Sequence, residues 1–289
     1  MKRIKVNLLN TVRRIFMFRV LEHSISKLVH KNTFMSPFFS KLAPNNYQYK
    51  QKTFRDFEID SIKLKLDISD YLGHYIYFGI KDLSLIALLE LVQKNIVVLD
   101  VGANIGYTAL RMASITGTNG TIHAFEPDPY NFEQLTKNTN LNSYLPIKTY
   151  NVGLGIKQSK LKLAINTPDN FGGNRIKEDA VENFNWVNII TIDSFVETNN
   201  IGKVNLIKID VEGFEYNVLK GAEKVLEKHR PILFIELDDD NLKQQNSSAK
   251  DLIQFVAKYY HTITNAETKN RITSDLNFSH CHYDIICKN

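Results

Sequence analysis

The twelve residues VVLDVGANIGYT, Val97 to Thr108, constrain the fold more than any other stretch of this 289-residue chain. Ile96 to Leu99 is an unbroken run of Ile, Val and Leu, the pattern of a strand buried on both faces in a parallel sheet. Ala103 to Gly106 reads as a tight turn, and Tyr107 to Ile115 carries apolar residues at helical spacing. Strand, glycine turn and helix in that order set the free amides of a helix start beside a backbone that a ligand can approach closely, which is the layout of a nucleotide-cofactor site. A dinucleotide fingerprint needs Gly-x-Gly-x-x-Gly. Aligned on Gly102, this chain has Asn104 and Tyr107 where the second and third glycines belong, which argues against an NAD-dependent sugar oxidoreductase.

The following elements repeat the strand-helix alternation. TIHAFEPDP reads as a strand ending at Glu126, about twenty residues beyond the glycine loop, where a carboxylate can accept hydrogen bonds from two vicinal ribose hydroxyls. Pro127 and Pro129 stop that strand and open a helix running to Leu141. IKTYNVGL (147–154) is expected to be a third strand whose end, Asn151, Val152 and Gly153, lies beside the adenine of such a cofactor. KLKLAIN and VNIITIDSF are further strand candidates; the polar segment between them, NTPDNFGGNRIKED, is either an acceptor-binding loop or a solvated insertion. In NLIKIDVEGFEYNVLKGAEKVL, Leu206 to Ile209 is strand-like, Asp210 and Glu212 follow it, Gly213 turns the chain and Phe214 begins a helix. RPILFIELDDD gives a fifth strand ending near Glu236, AKDLIQFVAKYY a helix, and HTITNAE and HYDIICK the last strands. Ligands of open α/β sheets bind outside the carboxyl ends of the strands, so these acids are expected to face the cleft.

Asp100-x-Gly102-x-Asn104-x-Gly106 resembles the first motif of class I S-adenosylmethionine (SAM) methyltransferases. Together, VVLDVGANIGYT, HAFEPDPYNFEQLTKN, LIKIDVEGFEYNVLKGAE and PILFIEL, in this order and spacing, resemble the FkbM-type family of those enzymes from about Tyr77 to the C-terminus. The resemblance implies a doubly wound, mostly parallel, seven-stranded Rossmann-like α/β sheet with an N-terminal helical and β extension. It implies SAM as cofactor, the turn at Gly102, Ala103, Asn104 and Gly106 holding its methionine end, Asp100 fixing the loop, and Glu126 with Pro127 at the ribose. It also implies methylation of a hydroxyl oxygen on a sugar, glycan or related metabolite; a non-catalytic SAM-binding protein is the alternative. A hydroxyl is a poor nucleophile until it loses its proton, and a carboxylate in reach can take it. Asp210 is the first candidate for that base, Glu212 the second, and Glu236 a support. Either of the first two could instead cap the helix after Gly213, the role assigned to Glu215. As a minority mechanism the three acids would hold Mg2+.

Charge is uneven. Residues 1–50 hold ten Lys and Arg against the single acid Glu22, whereas the whole chain is only +5, so the body is mildly acidic. Ile4, Leu8, Val12, Ile15 and Phe16 share one helical face, with Lys2, Arg3, Arg13 and Arg14 mostly on the other. Such a helix either lies on an anionic membrane through residues 1–31 or packs on the catalytic body. It does not read as a signal peptide, and no apolar run reaches spanning length. No reader motif or aromatic-basic platform accompanies the charge, so nucleic acid is not an expected partner. Cys281 and Cys287 make neither a disulfide framework nor, with His280 and His282, a metal site; a reducing, cytoplasmic setting is expected, peripheral to the inner face of a membrane if the arm binds lipid. The expected division is a basic extension (1–52), elements flanking the cofactor cleft (53–95), with FEIDSIKLKLDIS a half-buried strand, HYIYFGI (74–80) a second strand and LSLIALLELVQK (83–94) a helix, and the methyltransferase domain (96–289).

Overall fold

The computed structural model describes residues 10–31, 35–79, 82–165, 173–177 and 181–289. These fall into two compact units, one up to Asp82 and one from Leu83. The first unit thus takes in both the extension and the first strands that were expected to flank the cleft.

In the first unit residues 10–15 are helical, followed by α1 (Arg19–His30), α2 (Ser36–Leu42), the hairpin β1 (Phe54–Ile59) and β2 (Ile62–Asp67), and α3 (Tyr71–Tyr77). FEIDSIKLKLDIS, expected as one half-buried strand, is an antiparallel hairpin. Asp60 and Ser61 both have positive φ and form the two-residue turn whose twist matches paired strands. HYIYFGI (74–80), expected as a strand, is helical through Tyr77, and residue 80 lies outside the described residues. The Asp70 carboxylate caps this helix by accepting from the Leu72 and Gly73 amides. The aromatic pairs Tyr71–Tyr75 and His74–Phe78 then meet at the i, i+4 spacing that only a helix supplies. At the centre of the unit, buried Glu22 of α1 accepts two hydrogen bonds from the Arg55 guanidinium of β1, the fork geometry that suits a buried pair.

The second unit begins with α4 (Leu83–Leu89), β3 (Val97–Val101), α5 (Tyr107–Thr116), β4 (Thr121–Phe125), α6 (Pro129–Asn140), β5 (Ile147–Tyr150), β6 (Gly153–Leu154) and β7 (Ser159–Ala164). It continues through β8 (Arg175–Ile176), β9 (Phe184–Ile190), α7 (Ile192–Thr198), β10 (Leu206–Ile209), α8 (Glu215–Lys220) and α9 (Glu223–His229). The last elements are β11 (Ile232–Asp238), α10 (Asp239–Gln244), α11 (Ala249–Val256), β12 (Thr262–Asn265) and β13 (His282–Lys288). Seven strands form one sheet in the order β12-β13-β11-β10-β3-β4-β5, with β13 antiparallel to both its neighbours and the other pairs parallel. This is the mostly parallel seven-stranded sheet the sequence implied. β3 and β10 lie at its centre with every residue of β10 buried, which is why both read as continuous apolar runs. One face packs Val98, Ile122, Leu206 and Phe234 against Ala87, Leu88, Ala109 and Met112; the other packs Leu99, Ile207, Ile209 and Leu233 against residues of α7, α8, α9 and α11.

Two expected strands divide. IKTYNVGL leaves the main sheet after Tyr150, and its end, β6, pairs with β9 in a separate sheet ordered β6-β9-β7-β8. VNIITIDSF stops being a strand at Ile190 because the Thr191 hydroxyl accepts from the Ser194 amide and starts α7. Residues 166–172 and 178–179 of the polar stretch read as either an acceptor-binding loop or a solvated insertion lie outside the described residues; between them Arg175 and Ile176 form β8. Among the described residues, no helix is long and apolar enough to cross a membrane.

Candidate active site

The glycine turn lies at the carboxyl end of β3. Gly102 has φ +80°, and a Cβ on it would stand 1.9 Å from the Asp210 carbonyl oxygen, so only glycine fits. The Gly102 and Ala103 amides both donate to the Phe125 carbonyl, at 3.1 and 2.9 Å, which bends the loop over the end of β4. Asn104, at φ +50°, donates its amide to Glu126 Oε2 at 2.8 Å, and Gly106, at φ +87°, caps α5. Glu126 is therefore beneath the loop, as its position at the end of β4 implied.

Glu126 is only 6% exposed, and its Oε1 accepts from the Asp128 amide at 2.8 Å. Burial pushes its carboxyl up to about 8, although the two backbone donors pull it back. The Asn151 side chain donates to the carbonyls of Glu126 and Pro127, and the Cβ position of Gly153 lies 3.5 Å from the Pro127 ring. Glu126, Pro127, Asn151 and Gly153 are thus gathered at one point, with Val152 packed against the core. An ionised carboxylate offers about four acceptor positions. Two are filled by the loop amides, leaving capacity for a vicinal diol. A backbone cradle that a Cβ would fill and a buried carboxylate with spare lone pairs fit the nucleoside end of SAM.

One strand away, Lys208 of β10 joins the loop to the candidate base. Its ammonium donates to the Gly102 carbonyl at 2.9 Å and lies 3.1 Å from Asp210 Oδ2 and 3.6 Å from Asp100 Oδ1. Burial disfavours the ammonium, but Asp210 and Asp100 reverse this and hold it well above the usual lysine range. Asp100 is fully buried and neither of its oxygens has a hydrogen-bond partner; burial pushes its carboxyl up while Lys208 pulls it down. Asp210, by contrast, has 45% of its side chain exposed.

The turn after Asp210 is built by carboxylates. Glu215 Oε1 accepts from the Val211 and Gly213 amides at 3.0 Å each, the capping role expected of it, and burial pushes its carboxyl up to about 7. Glu212 adopts φ +53°, and its Oε2 accepts from the Asn241 side chain at 3.0 Å. Its carboxyl is raised by burial and by Asp210. Glu236 Oε2 is buried without a hydrogen-bond partner, and burial together with Asp210, Glu215, Glu212 and Asp284 holds its carboxyl well above the usual range. Glu236, expected as a support, is thus a buried neighbour of Asp210 whose charged form is disfavoured.

Among the described residues, no group of three or more His, Cys, Asp and Glu could hold a metal ion. The Mg2+ mechanism is not borne out: Asp210, Glu212 and Glu236 form no such group, and the Lys208 ammonium already supplies positive charge at Asp210. Sequence reasoning missed Lys208, although a lysine inside the apolar run LIKI is itself a signal, because a central parallel strand has no solvated face for it. It also missed the pair formed by His282 Nδ1 and Asp238 Oδ2, 2.9 Å apart at the carboxyl end of β11. That pairing depends on the antiparallel register of β13, which no local motif encodes.

A model of the FkbM methyltransferase domain matches residues 100–262. Hexuronic acid methyltransferase AglP of Haloferax volcanii is 32% identical over 142 residues, which cover 48% of this chain and 55% of that protein. Methyltransferase 1 of Beauveria bassiana is 27% identical over 179 residues, covering 54% of this chain and 70% of that protein. Among solved structures, methyltransferase FkbM from Methylobacillus flagellatus KT superposes over 94% of this chain and 60% of its own, with a TM-score of 0.44 and 16% identity. This chain thus spans about half the length of AglP.

Proposed function

The chain belongs to the FkbM methyltransferase family, and from that premise we propose that it is a SAM-dependent methyltransferase acting on a hydroxyl oxygen of a sugar or glycan. The observation that carries this reading is Glu126, buried beneath the glycine turn and bonded to its Asn104 amide, with Asp210 at the end of the strand next to β3. When bound, SAM supplies an electrophilic methyl group on a sulfonium.

The protein's own residues do the rest. Glu126 accepts from the ribose hydroxyls, Asn151 to Gly153 flank the base, and the Gly102 to Gly106 turn admits the amino-acid tail at backbone distance. Asp210 is the exposed carboxylate at the cleft, so it takes the proton from the acceptor hydroxyl as the new C–O bond forms. Lys208 fixes the Asp210 side chain against the loop, so base and cofactor share one anchor, and positioning of this kind supplies much of the acceleration in a displacement reaction. Glu212, tied to Asn241, lies beside it as the second acidic group. The similarity to AglP, a hexuronic acid methyltransferase, favours an acidic sugar as acceptor. The reduced cysteines fit a cytoplasmic setting, with acceptors presented at the inner face of a membrane.

Calorimetric titration with S-adenosylhomocysteine, with NAD as control, tests the premise on the parent and on Glu126→Ala. Binding of the homocysteine ligand alone, weakened by the substitution, is expected. Binding of NAD, or of neither, overturns the proposal. Turnover is then sought with uronate-containing glycans; a chain that binds the cofactor yet methylates no hydroxylated acceptor would be a binding protein instead.

A further inference from the structure

The first unit presents an apolar surface at the bend between helix 10–15 and α1. Phe18 has extended backbone there, its amide reaching back to Ile15 and its carbonyl accepting from Glu22, so the two helical segments meet at this residue. Phe18 is 70% exposed, Val20 79% and Ile15 55%, with Leu21 and Val12 also exposed. The opposite face of α1 is committed to the interior: Glu22, Ile25, Ser26 and Val29 are buried, and Glu22 is locked to Arg55. Rotation of the helix to hide Val20 and Leu21 would expose that ion pair and the core residues with it. The apolar side is therefore fixed outward. Isolated exposed apolar residues need no explanation, but five within ten positions do.

Charge identifies the occupant. Arg14, Arg19, Lys27 and Lys31 are exposed on the same helices, and the acid of residues 1–50, Glu22, is buried and neutralised. Large apolar side chains rimmed by cations, with no exposed anion among them, match an interface of acyl chains below and anionic headgroups above. A second copy of the chain would bring the same cations face to face, and like charges repel.

We propose that this bend docks on an anionic lipid surface, Ile15, Phe18, Val20 and Leu21 entering the acyl boundary while Arg14, Arg19, Lys27 and Lys31 meet the headgroups. Docking is independent of which acceptor the second unit methylates.

The test is co-sedimentation of the full chain with phosphatidylcholine vesicles with and without about one third phosphatidylserine. Binding to the anionic vesicles that weakens with salt is expected, since each basic residue near such a surface contributes roughly fivefold in partitioning. Phe18→Ser with Val20→Ser is expected to lower partitioning by an order of magnitude or more, and Arg14→Glu with Arg19→Glu to abolish the preference for anionic lipid. All four side chains are exposed, so unchanged circular dichroism and S-adenosylhomocysteine affinity confirm that the variants are folded. Failure of the folded parent to bind, equal binding by the Phe18/Val20 variant, or a parent dimer that the same variant dissociates would each overturn the proposal.

Discussion

Replacing Lys208 by Met keeps the length of the side chain and removes its charge. The Asp100 carboxylate, fully buried and without a hydrogen-bond donor, then loses the ammonium 3.6 Å away that offsets it. Removing one partner of a buried ion pair costs about 3–5 kcal/mol, because the other charge is stranded. A second route to the magnitude gives a similar figure. The stranded carboxyl takes up a proton, and holding it at pH 7 on a group whose ordinary pKa is about 3.9 costs roughly 1.4 kcal/mol per pH unit, about 4 kcal/mol in all. Burial already raises Asp100 against the pull of Lys208, so loss of the lysine raises it further. The folded variant then binds a proton that the unfolded chain releases above about pH 4, and its stability falls as pH rises through that window. Its deficit against the parent should be up to about 4 kcal/mol at pH 7 and only about 1.5 kcal/mol at pH 5. Urea denaturation of both proteins at pH 5, 6 and 7, followed by circular dichroism, measures this. A deficit under about 1 kcal/mol at pH 7, or one that acidification leaves unchanged, would refute the assignment of Lys208 as the partner of Asp100.

Three further outcomes are expected. Gly102→Ala should lose S-adenosylhomocysteine binding and several kcal/mol of stability, since its Cβ would stand 1.9 Å from a backbone oxygen at φ +80°, with no flexible side chain to give way; calorimetry and thermal unfolding report both. Glu126 is held up to about 8 by burial, so in the parent the affinity for S-adenosylhomocysteine should strengthen as pH rises through 8 with release of a proton, whereas Glu126→Gln should bind about tenfold more weakly with no such pH dependence. With a turned-over acceptor in hand, Asp210→Asn should lower kcat by about a hundredfold or more while cofactor affinity stays within about threefold; a cofactor affinity that falls as far as kcat would make Asp210 a part of the loop anchor and not the base.

The central strands and the glycine turn were legible because their signals are local: a buried parallel strand has no polar face, and Gly102 must be glycine for one close approach. Glu126 and Asp210 were legible for the same reason, each ending an apolar run. What local pattern could not reveal is governed by capping and register. Tyr71 to Tyr77 alternates in hydrophobicity much as a strand does, and the Asp70 cap decides for helix. The departure of Gly153 and Leu154 into a second sheet depends on pairing with Ile189 and Ile190, thirty-six residues away.

The register also explains why four acids at one sheet end do not act alike. Lys208 is directly opposite Asp100 on one side and Phe234 on the other, and Glu236, two residues on, is opposite Asp284. Partners in register share a face of the sheet, as do residues two apart on one strand, so Asp100, Lys208, Glu236 and Asp284 lie on one face in two adjacent rows, with Asp210 just beyond the end of β10. A single ammonium cannot neutralise every acid on that face. It lies 3.1 Å from Asp210 and 3.6 Å from Asp100, whereas the charged form of Glu236, which receives no hydrogen bond at its buried oxygen, is disfavoured by burial and by the neighbouring acids. Division of labour among these carboxyls therefore follows from where one lysine can reach. Asp210 is the one that is both paired and half open to solvent, and this combination, rather than its place in a motif, is what supports its proposed role as the base.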